Sequence, residues 1–296
     1  MHKLSALRGC GTALATPFNE DGSIDEPSLE KFIDFQISSG IDFLVPCGTT
    51  GESPTLSDDE QRRVVEITLA KAQSHVQVIA GAGGNNTAHV IELARHYERM
   101  GVHGLLCVTG YYNKPTQEGL YQHFKAVAGS TSLPIIVYNV PSRTVVNILP
   151  DTLARLAEIP NIVGVKEASG DISQIAEILT KVPADFKVLS GDDSITLPLI
   201  ALGGVGVISV ASNQAPELMT KMTRACLDNR WDVARRLNKE LFPLMKGNFI
   251  EASPGPVKAG LAMMGMMKEF FRLPMVPVQP GTREKMRRIL VDLRLI

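Results

Sequence analysis

A closed parallel (β/α)8 barrel followed by a C-terminal helical appendage is the fold that this sequence predicts. Three observations carry that expectation. The chain has 296 residues, enough for one such barrel of roughly 250 residues and a further segment. Short apolar runs alternate without a break with stretches of helical period as far as Asn229, after which only helical stretches remain,. No G-x-G-x-x-G follows the first apolar run, which counts against the runner-up, an open doubly wound sheet. Right-handed crossovers place each strand beside the last, so a series of eight βα units closes on itself.

The first strand is expected at Gly11 to Thr16, closed by Pro17. From Pro27 to Ser38 apolar residues recur at helical spacing (Leu29, Phe32, Ile33, Ile37), and Gly40 stops the pattern,. The second strand is Asp42 to Pro46. The next helix opens on Ser57-Asp58-Asp59-Glu60, a capping box in which the serine hydroxyl and the glutamate satisfy free backbone N–H groups, and runs to about Ala72,. Further strands are expected at Gln77 to Gly81, Gly104 to Val108, Pro134 to Asn139, Ile162 to Glu167, Lys187 to Ser190 and Gly206 to Ser209. Helices at Thr87 to Met100, Gln117 to Ala128, Pro150 to Glu158, Ile172 to Lys181, Ser194 to Leu202 and Ala215 to Asp228 alternate with them. Beyond lie helices at Arg230 to Lys246, Pro256 to Met267 and Thr282 to Leu293. The chain thus divides into a barrel with the active site at 1–229 and a helical region at 230–296, which either packs on the barrel or builds a subunit contact.

Composition narrows the partners. With 44% hydrophobic and 21% charged residues and a formal net charge of −1, the chain shows neither a nucleic-acid footprint nor a polyanion, and a small-molecule partner is expected. No apolar run approaches the roughly 20 residues of a membrane span, and Met1 to Ala6 lack the apolar core of a signal peptide, so a cytoplasmic location is expected,. Cys10, Cys47, Cys107 and Cys226 are scattered, with no C-x-x-C and no zinc-like histidine spacing; they are expected to be reduced and buried,.

In such a barrel the chemistry sits at the C-terminal ends of the strands. The apolar, β-branched run Ile162 to Val165 ends in Lys166-Glu167 before a glycine-containing turn. Burial disfavours the charged form of a lysine and makes the amine nucleophilic towards carbonyls; the bland alternatives are that Lys166 snorkels to the surface or pairs with Glu167. Alternation puts Tyr138 on the face of Ile136 and Lys166 on the face of Gly164. If both faces point inward, a phenol and an amine converge, as proton transfer through carbinolamine and imine requires.

Other strand ends are suggestive. In Cys47-Gly48-Thr49-Thr50-Gly51-Glu52, backbone N–H groups and threonine hydroxyls suit a small carboxylate, or the segment is a tight turn. Tyr111 and Tyr112 share one loop in a chain with five tyrosines; they either serve the site or pack as interface aromatics. Arg143 suits a second carboxylate, bidentately, or a surface ion pair. Asp192-Asp193 reads as a helix N-cap rather than a metal site. Gly203 to Ser209 would let a ligand approach the backbone.

Together the motifs Gly48-Thr49-Thr50-Gly51-Glu52, Tyr111-Tyr112-Asn113-Lys114-Pro115, Tyr138-Asn139-Val140-Pro141-Ser142-Arg143-Thr144, Gly164-Val165-Lys166-Glu167-Ala168 and Ser190-Gly191-Asp192-Asp193 closely resemble the dihydrodipicolinate synthase branch of the barrel family that includes N-acetylneuraminate lyase. The resemblance covers essentially the whole chain. It implies a Schiff base between Lys166 and pyruvate, and a proton relay through Thr49, Tyr138 and Tyr112, with Tyr112 supplied across a tight dimer interface within a homotetramer, a dimer of dimers. It implies that Thr50 holds the pyruvate carboxylate and Arg143 that of L-aspartate 4-semialdehyde, while Gly191 and Ile208 border the pocket. The expected product is 4-hydroxy-tetrahydrodipicolinate, with no metal or organic cofactor.

Two departures from the family pattern stand out: Gly110 where proline is usual and Val145 where glycine is common. An allosteric lysine site is implied near Ser53, Pro54, Asp58, Gln61, Asn85, His89 and Tyr111, but the acidic residue of lysine-sensitive relatives is replaced by His89, so weak or absent feedback is expected. Two rivals remain. One is another pyruvate-dependent aldolase of the family, acting on a 2-keto-3-deoxy sugar acid or 4-hydroxy-2-oxoglutarate; the other is an idle barrel that senses a keto acid.

Overall fold

The computed structural model describes residues 7–296; the expectation that Met1 to Ala6 lack a signal segment lies outside them. Eight parallel strands, β1 (Gly9–Ala13), β2 (Phe43–Val45), β3 (Gln77–Gly81), β4 (Gly104–Val108), β5 (Ile135–Asn139), β6 (Ile162–Glu167), β7 (Lys187–Ser190) and β8 (Gly206–Ser209), close into a barrel in sequence order. The helices are α1 (Glu26–Ser38), α2 (Asp58–Ala72), α3 (Thr87–Met100), α4 (Gln117–Ala128), α5 (Pro141–Thr144), α6 (Pro150–Ala157), α7 (Ile172–Lys181), α8 (Thr196–Ala201), α9 (Pro216–Leu227), α10 (Trp231–Gly247), α11 (Gly255–Met263) and α12 (Pro280–Asp292). The expected barrel is found, and the doubly wound sheet is excluded. Among the described residues no helix is long and apolar enough to cross a membrane.

The chain divides into two compact units. One comprises the described residues up to Gly9 together with Ile79–Ile208, the other Cys10–Val78 together with Ser209–Ile296. In the first unit the strands are buried on both faces, as parallel strands covered by helices must be,. Gly9 N donates to Val205 O at 2.9 Å, and a Cβ on Gly206 would lie 2.0 Å from Gly9 O. Only glycine fits so close an approach of two backbones, and Gly206 also has a φ of +155°,. In the second unit Thr12, Gln36 and Asn213 form a buried polar network. The Thr12 hydroxyl donates to Gln36 Oε1 at 2.7 Å, and Asn213 Oδ1 accepts from Ala15 N at 3.0 Å.

Local signals account for most boundaries. The capping box at Ser57 is complete: Glu60 N donates to Ser57 Oγ at 3.2 Å, and Ser57 N donates to Glu60 Oε2 at 2.9 Å. β1 starts two residues earlier than expected and ends at Ala13, because Ala15 N turns to the Asn213 side chain instead of continuing a ladder. The helix expected over 194–202 splits into a 3-10 turn, Asp193–Ile195, and α8; Asp192 Oδ1 accepts from Ser194 N at 2.9 Å and sets the first turn apart. The helix expected to reach Met267 stops at Met263, where Gly265 takes a φ of +71° and Met266 N reaches back to Leu261 O at 3.0 Å,. The four-residue α5, with proline at its start, was not anticipated,. All four cysteines are buried, and burial pushes the Cys107 thiol up to about 12 and that of Cys226 to about 11.

Candidate active site

Lys166 is the penultimate residue of β6 and is only 4% exposed. The register pairs Tyr138 with Lys166 and Asn139 with Glu167, so the first pair points to one side of the sheet and the second to the other. The Lys166 Nζ lies over the Tyr138 ring, 4.0 Å from its centroid. The convergence expected from alternation is therefore present, and snorkelling is excluded. Gly191, just after β7, makes room for the lysine stem. Its N–H donates to Glu167 O at 2.7 Å, and a Cβ there would lie 2.7 Å from Ala168 Cβ and 3.1 Å from Lys166 Cγ.

Glu167 does not engage the amine. Its carboxylate accepts from Asn139 Nδ2 at 3.0 Å and from Ser169 N at 2.7 Å. Burial pushes its pKa above the usual carboxylate range, and the hydrogen bonds from Ser169 and Asn139 oppose that shift,. Lys166 thus has an aromatic face as its near neighbour, while the adjacent carboxylate is committed elsewhere.

The remaining residues of this unit lie further out or deeper. Tyr112 is 88% exposed and adopts a φ of 71°; Arg143 is exposed on α5. Val145, which ends α5, has a φ of 60°. Ile208 is fully buried in β8. The structure therefore brings Lys166, Tyr138 and Gly191 together, and leaves the side chains of Tyr112 and Arg143 exposed.

In the second unit Thr49 opens a 3-10 turn, Thr49–Gly51, in which Thr50 is buried. Non-glycine residues in the left-handed region bracket the turn: Cys47 at φ 56° and Glu52 at φ 54°. Such strain persists only where the surroundings over-determine it. Here the Thr16 hydroxyl donates to Gly51 O at 2.8 Å, and Lys258 Nζ of α11 donates to Glu52 Oε1 at 2.6 Å with both side chains buried. The Lys258 amine also lies 4.4 Å from the Phe18 ring centroid and 4.9 Å from that of Phe271. Burial lowers the pKa of Lys258, against the pull of the Glu52 carboxylate. Among the described residues no group of three or more His, Cys, Asp or Glu is placed to hold a metal ion.

Sequence reading offered Glu167 only as an ion-pair partner for Lys166 and gave Asn139 no part of its own, although the alternation that pairs Tyr138 with Lys166 also pairs these two. Lys258 carried no signal, since its partner lies 206 positions away.

A parallel barrel with a buried lysine at a strand's C-terminal end, its amine over a tyrosine ring, has the form of an aldolase that works through an imine. A model of the dihydrodipicolinate synthetase family matches residues 6–293. The chain belongs to that family. It is 53% identical over 287 residues to a 4-hydroxy-tetrahydrodipicolinate synthase of Koribacter versatilis, covering 97% of this chain and 96% of the relative. The crystal structure of dihydrodipicolinate synthase from Aquifex aeolicus superposes with a TM-score of 0.96 at 45% identity, over 98% of this chain and 99% of that one. A structure described as the first monomeric dihydrodipicolinate synthase variant matches with a TM-score of 0.98 at 43% identity, over 100% and 99% of the two chains.

Proposed function

We propose that this chain is a lyase that condenses pyruvate with L-aspartate 4-semialdehyde to 4-hydroxy-tetrahydrodipicolinate, a step of diaminopimelate and lysine biosynthesis. The observation that carries the mechanism is the contact of the buried Lys166 amine with Tyr138. The amine adds to the pyruvate carbonyl and water leaves, giving an imine. In its protonated form the imine takes up the electrons of the C3–H bond, so the enamine forms without a metal or organic cofactor in this scheme. The enamine attacks the aldehyde. The substrate amine then adds to the imine carbon, closes the ring and expels Lys166.

Tyr138, Thr49 and Tyr112 relay the protons in this scheme. Thr50 holds the pyruvate carboxylate and Arg143 that of the aldehyde, with Gly191 and Ile208 bordering the substrates. Residues 1–229 carry the chemistry and 230–296 form the helical region. The exposure of Tyr112 supports its use in the site of another subunit; the assembly in this reading is a homotetramer built as a dimer of dimers, in the cytoplasm. Lysine feedback is weak or absent because His89 replaces the acidic residue that would hold the effector's ammonium group.

Pyruvate consumption with aspartate semialdehyde, coupled to a reductase that oxidises a nicotinamide only when the cyclic product appears, tests this assignment. Rapid turnover supports it. No turnover, with Lys166 still trapped by borohydride in the presence of pyruvate, would move the chain to another aldehyde partner.

A further inference from the structure

We infer that Asn139 is a positioning residue of this reaction, whose buried side-chain amide holds the tyrosine strand, the lysine strand and the Arg143 segment in one geometry. The inference rests on the roles proposed above for Lys166 and Arg143. All its residues lie in the compact unit that contains Ile79–Ile208.

Asn139 is the last residue of β5, next to Tyr138, and is completely buried. Its Nδ2 donates to Glu167 Oε2 at 3.0 Å, which ties β5 to the residue after Lys166. The same nitrogen donates to Asn147 Oδ1 at 2.8 Å. Its Oδ1 accepts from Ile148 N at 3.0 Å. The backbone adds a fourth tie, Ala168 N donating to Asn139 O at 2.9 Å. Both ends of the amide are therefore used.

Between Asn139 and Ile148 the chain leaves the sheet, forms α5 with Arg143, passes through Val145 at φ 60° and returns. A β-branched residue in the left-handed region does not hold a loop by its own preference. What pins the return is the Asn139 amide together with Asn147, whose Nδ2 donates to Gln174 Oε1 at 2.7 Å and whose carbonyl accepts from Gln117 Nε2 at 2.8 Å. Buried hydrogen bonds of this kind rigidify what they join, and loss of the Asn139 amide leaves the buried Ile148 N–H without its partner and Glu167 without one of its donors,. On the opposite side of the same strands stand Tyr138 and Lys166. A shift of β5 against β6 would move the ring relative to the amine, and a small misplacement of reacting groups can cost about 10²-fold in rate.

The test compares Asn139→Ala, Asn147→Ala and the parent in three measurements: the rate at which borohydride traps the pyruvate imine, KM for each substrate, and the thermal midpoint. Asn139→Ala is expected to slow imine formation and lower kcat/KM by about 10²-fold. Asn147→Ala leaves the Asn139–Glu167 tie in place. It is expected to raise KM for the aldehyde several-fold while imine formation keeps the parental rate. A folded Asn139→Ala variant with parental imine formation and KM values overturns the inference, whatever its midpoint. Should Asn139→Ala not fold, Asn147→Ala decides alone: an unchanged KM for the aldehyde, or a loss in imine formation as large as the rise in that KM, overturns it. If the parent itself is not trapped at Lys166, the proposed function fails and the inference with it; a parent that is trapped, with Asn139→Ala equal to it in trapping rate and in KM, removes only the inference.

Discussion

The Lys166 amine and the Tyr138 ring, paired in register across β5 and β6, stand 4.0 Å apart with both side chains buried. If imine chemistry passes through this amine, Lys166→Ala abolishes turnover and the borohydride-trapped pyruvate adduct together. Loss of the adduct is read from intact mass, and circular dichroism separates it from unfolding. A variant that folds and turns over at the parental rate would end the proposal.

Tyr138→Phe keeps the ring beneath the amine and removes only the hydroxyl. The expected loss is in kcat, by about 10²-fold or more if the phenol carries protons, with KM for pyruvate little changed because the aromatic contact survives. A loss confined to KM would make Tyr138 a packing partner and take it out of the relay.

Much of this site was legible in the sequence. The period-2 alternation of two apolar runs was enough to place Tyr138 beside Lys166, since neighbouring parallel strands carry their side chains in step. The same rule pairs Asn139 with Glu167, but buried polar residues on the helix-facing side give no composition signal of their own. α5 was missed because four residues are too few to show a helical period,. Lys258 lies among Val257, Ala259 and Gly260 on a fully buried stretch of α11. No local pattern shows that its partner is Glu52; only the tertiary fold supplies that contact.

Val145 gives a stability prediction. It is 70% exposed at a φ of 60°, where a β-branched residue costs about 1–2 kcal/mol and glycine gives back part of that in chain entropy. Val145→Gly is therefore expected to stabilise the protein by up to about 1 kcal/mol, seen as a higher urea midpoint at unchanged slope. A lower midpoint would show that the exposed side chain contributes more than its backbone strain removes.

Arg272 and Glu60 give a pH prediction. Arg272 Nη1 donates to Glu60 Oε2 at 2.8 Å, and the Arg272 hydrogen bond is the largest cause lowering the Glu60 pKa from 4.5 to about 2. A carboxylate depressed in the folded state stabilises it fully above the unfolded value of 4.5, and that contribution fades as pH falls towards 2,. With side-chain exposures of 19% and 31%, screening limits it to about 1 kcal/mol. Glu60→Gln should flatten the acid limb of stability over that window, and an unchanged limb in urea melts would assign it to other carboxylates.

Lys258 and Glu52 form the more consequential pair, because neither has solvent to fall back on: their side chains are 0% and 2% exposed. Removing one partner of a buried ion pair strands the other charge and costs about 3–5 kcal/mol, whereas replacing both can be nearly neutral. Lys258→Met keeps a long side chain against Phe18 and Phe271 but leaves the Glu52 carboxylate with only a 3.4 Å hydrogen bond from Arg272 N. It should lower stability by about that amount, and Glu52→Gln added to it should restore much of the loss because no charge is left buried. The double variant as unstable as Lys258→Met would mean that the lysine acts through packing, and that the left-handed turn at Glu52 is held by something other than its ion pair.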